Sequence, residues 1–121
     1  MARNSLAASK AELYGLLSGA NLPAGVTAAY DYEPLPGQMA KPVAITVSTA
    51  GMSPDFYLLA VRCYQTAEVD AQAAQSNLDI LILAVEHKLT AGFGMAPWSV
   101  EYVAELDALV ATCVLPVGRE D

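Results

Sequence analysis

Residues 69–89 read VDAQAAQSNLDILILAVEHKL, and the reading of this stretch decides the fold. Ala71, Ala74, Leu78, Leu81, Val85 and Leu89 recur at steps of three or four, the spacing that stacks side chains along one face of an α-helix. Asp70 near the predicted start and Lys88 near the predicted end suit the helix dipole, and Gly92, followed by Phe93-Gly94, closes the segment. Within it, Ile80-Leu81-Ile82-Leu83-Ala84-Val85 is apolar all round. A helix laid on a sheet by its stripe would therefore still turn Ile80, Leu83 and Ala84 outward. Contiguous exposed apolar surface on a soluble protein marks a partner site. A further copy of the same chain is the commonest partner, so Ile80, Leu83, Ala84 and the neighbouring Glu86 are expected at a subunit interface.

Upstream of this helix the period changes to two. Residues 56–65 include Leu58-Leu59-Ala60-Val61, apolar on both faces, as a central strand covered on each side should be. Residues 43–49 set Val43, Ile45, Val47 and Thr49 against Ala44, Thr46 and Ser48, and Gly51-Met52-Ser53-Pro54 turns the chain, so the two segments read as an antiparallel hairpin. Residues 26–33 place Val26, Ala28, Tyr30 and Tyr32 on one side and Thr27, Ala29, Asp31 and Glu33 on the other, a half-buried strand. Pro34-Leu35-Pro36-Gly37 breaks it and opens a projecting loop that runs to Pro42. Residues 5–18 form the opening helix, with Leu6, Leu13, Leu16, Leu17 and Ala20 near helical spacing and Asn4 or Ser5 as N-cap. Gly15 inside it costs about 1 kcal/mol against Ala, so either packing is close there or the helix is marginal.

Downstream, Trp98, Val100, Tyr102 and Ala104 alternate with Ser99, Glu101 and Glu105, a strand with a wet side. After a turn near Leu106-Asp107, residues 109–115 supply a last strand, which Pro116 and Gly118 end, and Arg119-Glu120-Asp121 reads as a frayed tail. With no internal repeat or linker, the 121 residues are expected to form one α+β domain. Its expected order is α-β-β-β-α-β-β: one antiparallel β-sheet of about five strands with two helices packed on one face.

Composition narrows the function. The chain is 55% hydrophobic, yet its apolar runs fall far short of the ~20 residues needed to span a bilayer, so no membrane partner is expected. Met1-Ala2-Arg3-Asn4-Ser5 lacks the apolar core of a secretory signal, which suggests assembly in a cytoplasm. Thirteen acidic against six basic residues, net −7, give a surface that repels phosphate and disfavours specific nucleic-acid binding.

Candidates for chemistry are sparse. His87, the single histidine, sits on the polar side of its helix, which disfavours a catalytic triad. Cys63 and Cys113 share no metal-ligand spacing with it and read as buried thiols, with a disulfide open only if their strands are adjacent. Asp79 and Glu86, seven apart on one helix face, read as solvated or salt-bridging between subunits, as do Asp31 and Glu33. Gly92-Phe93-Gly94 follows a helix and has no Lys-Ser or Lys-Thr after it, so it is a turn and not a phosphate loop. Met39, Met52 and Met95 all fall in loops, where flexible thioethers suit protein contacts. No catalytic residue, cofactor or metal is expected.

The succession of elements resembles the tail terminator proteins of long-tailed, siphovirus-type bacteriophages across nearly all the chain. The residues that carry it are an opening amphipathic helix, a strand ending Tyr30-Asp31-Tyr32-Glu33-Pro34, a hairpin through Ile45 and Leu59, a long helix ending Val85-Glu86-His87-Lys88-Leu89, and Trp98 opening a last hairpin. The resemblance implies a structural virion protein that forms a hexameric ring at the head-proximal end of the tail and is assembled in the host bacterial cytoplasm. Its partners would be itself, the major tail tube protein, whose growth it stops, and the head-side connector protein. DNA would pass through the lumen without specific binding. Stacking contacts are expected from Leu35, Gln38, Met39 and Lys41 in one loop and Met52 in another. The loop from Leu35 to Lys41 is short for tube docking, which leaves open which loop meets the tube. Alternatives are a head–tail connector, another minor tail subunit, or a small ligand-binding α+β domain.

Overall fold

A computed structural model describes residues 5–67 and 70–119. The N-terminal reading of Met1 to Asn4, the Val69 start of the long helix and the Glu120-Asp121 tail lie outside the described residues. The elements are α1 (Leu6–Leu17), β1 (Ala28–Tyr30), β2 (Val43–Met52), β3 (Phe56–Thr66), α2 (Ala71–Leu89), β4 (Trp98–Val103) and β5 (Ala108–Gly118), with 3₁₀ turns at Gly19–Asn21, Pro36–Gln38 and Ala104–Leu106. The fold is α+β with one five-stranded sheet, ordered β1-β2-β3-β5-β4.

The sheet is mixed, which corrects the expectation of a purely antiparallel one. β1 runs parallel to β2, with Ala28 opposite Ala44 and Tyr30 opposite Thr46, while the β2–β3, β3–β5 and β4–β5 pairs are antiparallel. β1 is also shorter than residues 26–33. Thr27 N donates to Val43 O, and after Tyr30 the chain bends off the sheet edge, so the period-two pattern does not carry through to Glu33. Val26 and Ala29 pack with the main core and Tyr30 with a cluster on the other side of the sheet, which splits a set expected on one face.

β3 lies at the centre, and Leu59, Ala60 and Val61 are fully buried. Val43, Ile45 and Val47 of β2, Leu59, Val61 and Cys63 of β3, and Ala111, Cys113 and Leu115 of β5 form one cluster with Leu13 and Leu17 of α1 and Leu78, Leu81, Val85 and Leu89 of α2. Burying each of those four α2 side chains contributes roughly 1.5–3 kcal/mol, so the stripe is a principal fastening of the helix layer. The opposite face holds a smaller cluster of Ala44, Tyr64 and Val110, on which Tyr30, Met39, Val103 and Leu106 pack.

The helix ends follow local chemistry. Ser5 caps α1 by accepting from Ala8 N at 3.2 Å, and Asp70 caps α2 by accepting from Gln72 N at 3.0 Å. α2 ends at Thr90, whose N–H bonds Glu86 O, and the positive φ of the following turn falls at Gly94. At the other end of the chain Arg119 is fastened and not frayed: its N donates to Asp55 O at 3.0 Å, and its guanidinium donates to Ser53 O and lies 5.3 Å from the Tyr57 ring centroid.

Gly15 resolves the two readings of α1. A Cβ added there meets nothing within 4 Å, so close packing does not explain the glycine. Gly15→Ala is expected to stabilise the fold by about 1 kcal/mol and raise the thermal midpoint by ~4 °C, as calorimetry of the two proteins would record.

Candidate functional site

The stripe that fastens α2 fixes what the rest of the helix presents. With Leu78, Leu81, Val85 and Leu89 against the sheet, residues 80 and 83 fall on the far side. Ile80 is 68% exposed and Leu83 66%, the large apolar side chains that the helix turns to solvent, and Ala84 is half-buried. Ile80 and Ala84 border an open groove of about 410 Å³, whose opposite wall is formed by Ala24, Gly25 and Pro42. Ile82 leans inward and packs on the main core.

Glu86 has a partner within the chain. Its Oε2 accepts from Trp98 Nε1 at 3.1 Å, so it ties α2 to β4 within one chain. Asp79, its supposed pair, accepts from Gln75 Nε2 at 2.9 Å. Each carboxylate has its own partner, and the two do not act together.

The residues expected to stack on neighbouring layers divide between the two ends of β2. Leu35 is 67% exposed, and Gln38 and Lys41 are exposed. Met39 is half-buried on the Ala44, Tyr64 and Val110 cluster, and Ala40 N donates to Tyr30 Oη at 3.0 Å, so this part of the loop folds back on its own sheet instead of projecting. These residues lie by the start of β2, whereas exposed Met52 ends it, beside exposed Phe56.

Sequence reasoning missed the polar group on the helix-free face. Glu33, expected to be solvated or salt-bridging between subunits, keeps 34% of its side chain exposed but finds its partners within the chain: Oε2 accepts from Thr46 Oγ1 at 2.6 Å and Arg62 Nη1 at 3.1 Å, and Oε1 accepts from Tyr64 Oη at 2.6 Å. Arg62 Nη1 also donates to Ser48 Oγ at 3.1 Å. The signal was Arg62 itself, since a guanidinium next to Leu58, Leu59, Ala60, Val61 and Cys63 in a central strand favours an anionic partner. Burial works to raise the Glu33 pKa, but hydrogen bonds from Thr46, Tyr64 and Ser48 and the Arg62 charge outweigh it and hold the carboxyl below its ordinary 4.5. Burial, and next the Glu33 carboxylate, push the Tyr64 hydroxyl upward. The group is saturated with internal partners, so it clamps the segment after β1 to the sheet.

The remaining groups offer no assembled chemistry. Cys63 and Cys113 are free thiols on adjacent strands, and because Cys63 opposes Ala111 while Cys113 opposes Val61, they are diagonal neighbours. Burial, then the neighbouring Cys113, pushes Cys63 up to about 12, which keeps it a protonated core residue at neutral pH. His87 is exposed in the last turn of α2, and its carbonyl accepts from Thr90 Oγ1. Phe93 N bonds Leu89 O, so Gly92-Phe93-Gly94 is the turn leaving the helix. Among the described residues no three of His, Cys, Asp and Glu converge as metal ligands would, and no helix is long and apolar enough to cross a membrane.

No protein-family model matches the chain, and no curated protein matches it.

The Glu33 clamp carries a pH dependence of definite sign. Its folded pKa is lowered, so its contribution to stability is complete above 4.5 and is lost as pH falls through the folded value. Urea denaturation should find Glu33→Gln less stable than wild type at pH 7, with the gap narrowing as pH falls below 4.5.

Proposed function

We propose that the protein is a structural subunit that works by self-assembly, as a tail terminator of a long-tailed phage: a hexameric ring that caps the tail tube, stops its growth and joins it to the head-side connector. The observation that carries this reading is the outward Ile80 and Leu83 in the middle of α2. Two large aliphatic side chains facing water on a rigid helix cost free energy in an isolated subunit and lose that cost when a neighbour covers them. Glu86 is occupied by Trp98 within the chain, so the ring contact would rest on Ile80, Leu83 and Ala84 without it.

The loops supply the second part. Leu35, Gln38, Met39 and Lys41 lie by the start of β2 and Met52 at its end, so in a ring the two sets would meet opposite neighbours, tube on one side and connector on the other. Met39, half-buried in its own chain, would contribute less than Leu35. A ring of chains each carrying −7 would line a lumen that repels phosphates within a Debye length of ~8 Å, letting DNA pass without being held. No catalysis and no cofactor enter this account.

Native mass spectrometry across concentration, alone and with tail tubes of the cognate phage, tests it. The expected result is a ring, or a monomer that forms one on tube ends, and a monomer that never associates with tubes would defeat the reading. Leu83→Glu should abolish the assembly while changing subunit stability by no more than about 0.5 kcal/mol, as an exposed substitution does.

A further inference from the structure

The two edges of the sheet are finished differently. β1 is three residues long, and Tyr14 Oη donates to Ala29 O at 3.2 Å, which ties α1 to that edge strand. β4 is six residues long and pairs with β5 without a shift in register, from Trp98 opposite Cys113 to Val103 opposite Ala108. In an antiparallel pair, alternate residues turn their N–H and C=O away from the partner strand. Along β4 those groups face outward at an end of the sheet, and residues 99–102 are all exposed. Of the devices that ordinarily blunt an edge, the strand has no lysine, no proline and no bulge, and its one charge is Glu101. The strand is also held at both ends, by Trp98 Nε1 on Glu86 and by Tyr102 Oη on Asp107 Oδ1 at 2.7 Å.

The side chains define what can pair there. Trp98 packs in the main core, so Val100 and Tyr102, 45% and 55% exposed, lie on the helix side of the sheet, while Ser99 and Glu101 lie on the other. Between Lys88 and Arg119 the chain carries Glu101, Glu105 and Asp107 and no basic residue. A second copy pairing edge to edge through β4 would bring Glu101 against a strand that carries the same carboxylate and no lysine or arginine to meet it.

We infer that β4 is a strand-addition site for an extended segment of another protein, one that alternates apolar residues toward Val100 and Tyr102 with lysine or arginine toward Glu101. Backbone hydrogen bonds along the open edge hold the segment, and the alternation sets its register and face. This surface is separate from the Ile80 and Leu83 face and does not depend on the ring.

Fluorescence anisotropy with a labelled octapeptide of alternating valine and lysine tests the inference, against the same peptide N-methylated at alternate backbone positions and a valine–glutamate peptide. The unmodified Val-Lys peptide should bind and slow hydrogen exchange in residues 98–103. N-methylation should weaken binding at least about tenfold, because backbone hydrogen bonds are removed, and Glu101→Lys, at an exposed position, should weaken it while leaving the fold intact. Equal binding of the N-methylated peptide would reduce the interaction to charge and overturn the inference. So would equal binding of the Val-Glu peptide, or no binding at all.

Discussion

The packing of Leu78, Leu81, Val85 and Leu89 onto β3 and β5 is the interaction on which the rest of the molecule depends. A helix has one rotation about its axis to choose, and this stripe chooses it. Once it is set, Glu86 reaches Trp98 and fixes β4 to the helix layer, Ala84 borders the groove beside Pro42, and Ile80 and Leu83 face solvent. The exposure is therefore a consequence of core packing, and no rotation of α2 could hide residues 80 and 83 without exposing the leucines that hold it down.

The other side of the sheet is organised by charge. α1 and α2 share one core cluster with the sheet, and the separate cluster of Ala44, Tyr64 and Val110 is covered by Tyr30 and Met39 from the chain around and after β1 and by Val103 and Leu106. Glu33 supplies the attachment, because a carboxylate accepting from Thr46, Tyr64 and Arg62 brings that segment across the sheet and satisfies a guanidinium in an otherwise apolar strand. Both polar anchors, Glu33 to Arg62 and Glu86 to Trp98, are spent inside the chain. What stays exposed is the aliphatic pair Ile80 and Leu83 on α2 and the outer edge of β4 with Glu101.

The long helix and the β2–β3 hairpin were legible because each rests on a long periodic pattern or on a turn flanked by alternation. The outward Ile80 and Leu83 followed from the same pattern, since a six-residue apolar run cannot fit inside one helical stripe. β1 was not legible: parallel and antiparallel partners leave the same alternation, and a three-residue strand gives too few positions to locate the bend after Tyr30. That bend also brings Glu33, which stays partly exposed, to Thr46, Arg62 and Tyr64, partners that alternation along a continuing strand does not show. Alternation rightly grouped Trp98, Val100 and Tyr102 on one face, yet it carries no information about how far a helix reaches over it, and α2 shelters Trp98 far better than Val100 or Tyr102.

The central claim is that Ile80 and Leu83 are solvent-facing in the subunit and covered in the assembly. Methyl NMR with a soluble paramagnetic probe, on dilute subunit and on the assembled state, measures this most directly. The account predicts strong broadening of the Ile80 and Leu83 methyls in the subunit and its loss on assembly, with Leu78 and Leu81 protected in both. Methyls at 80 and 83 that remain accessible in the assembled state would contradict it.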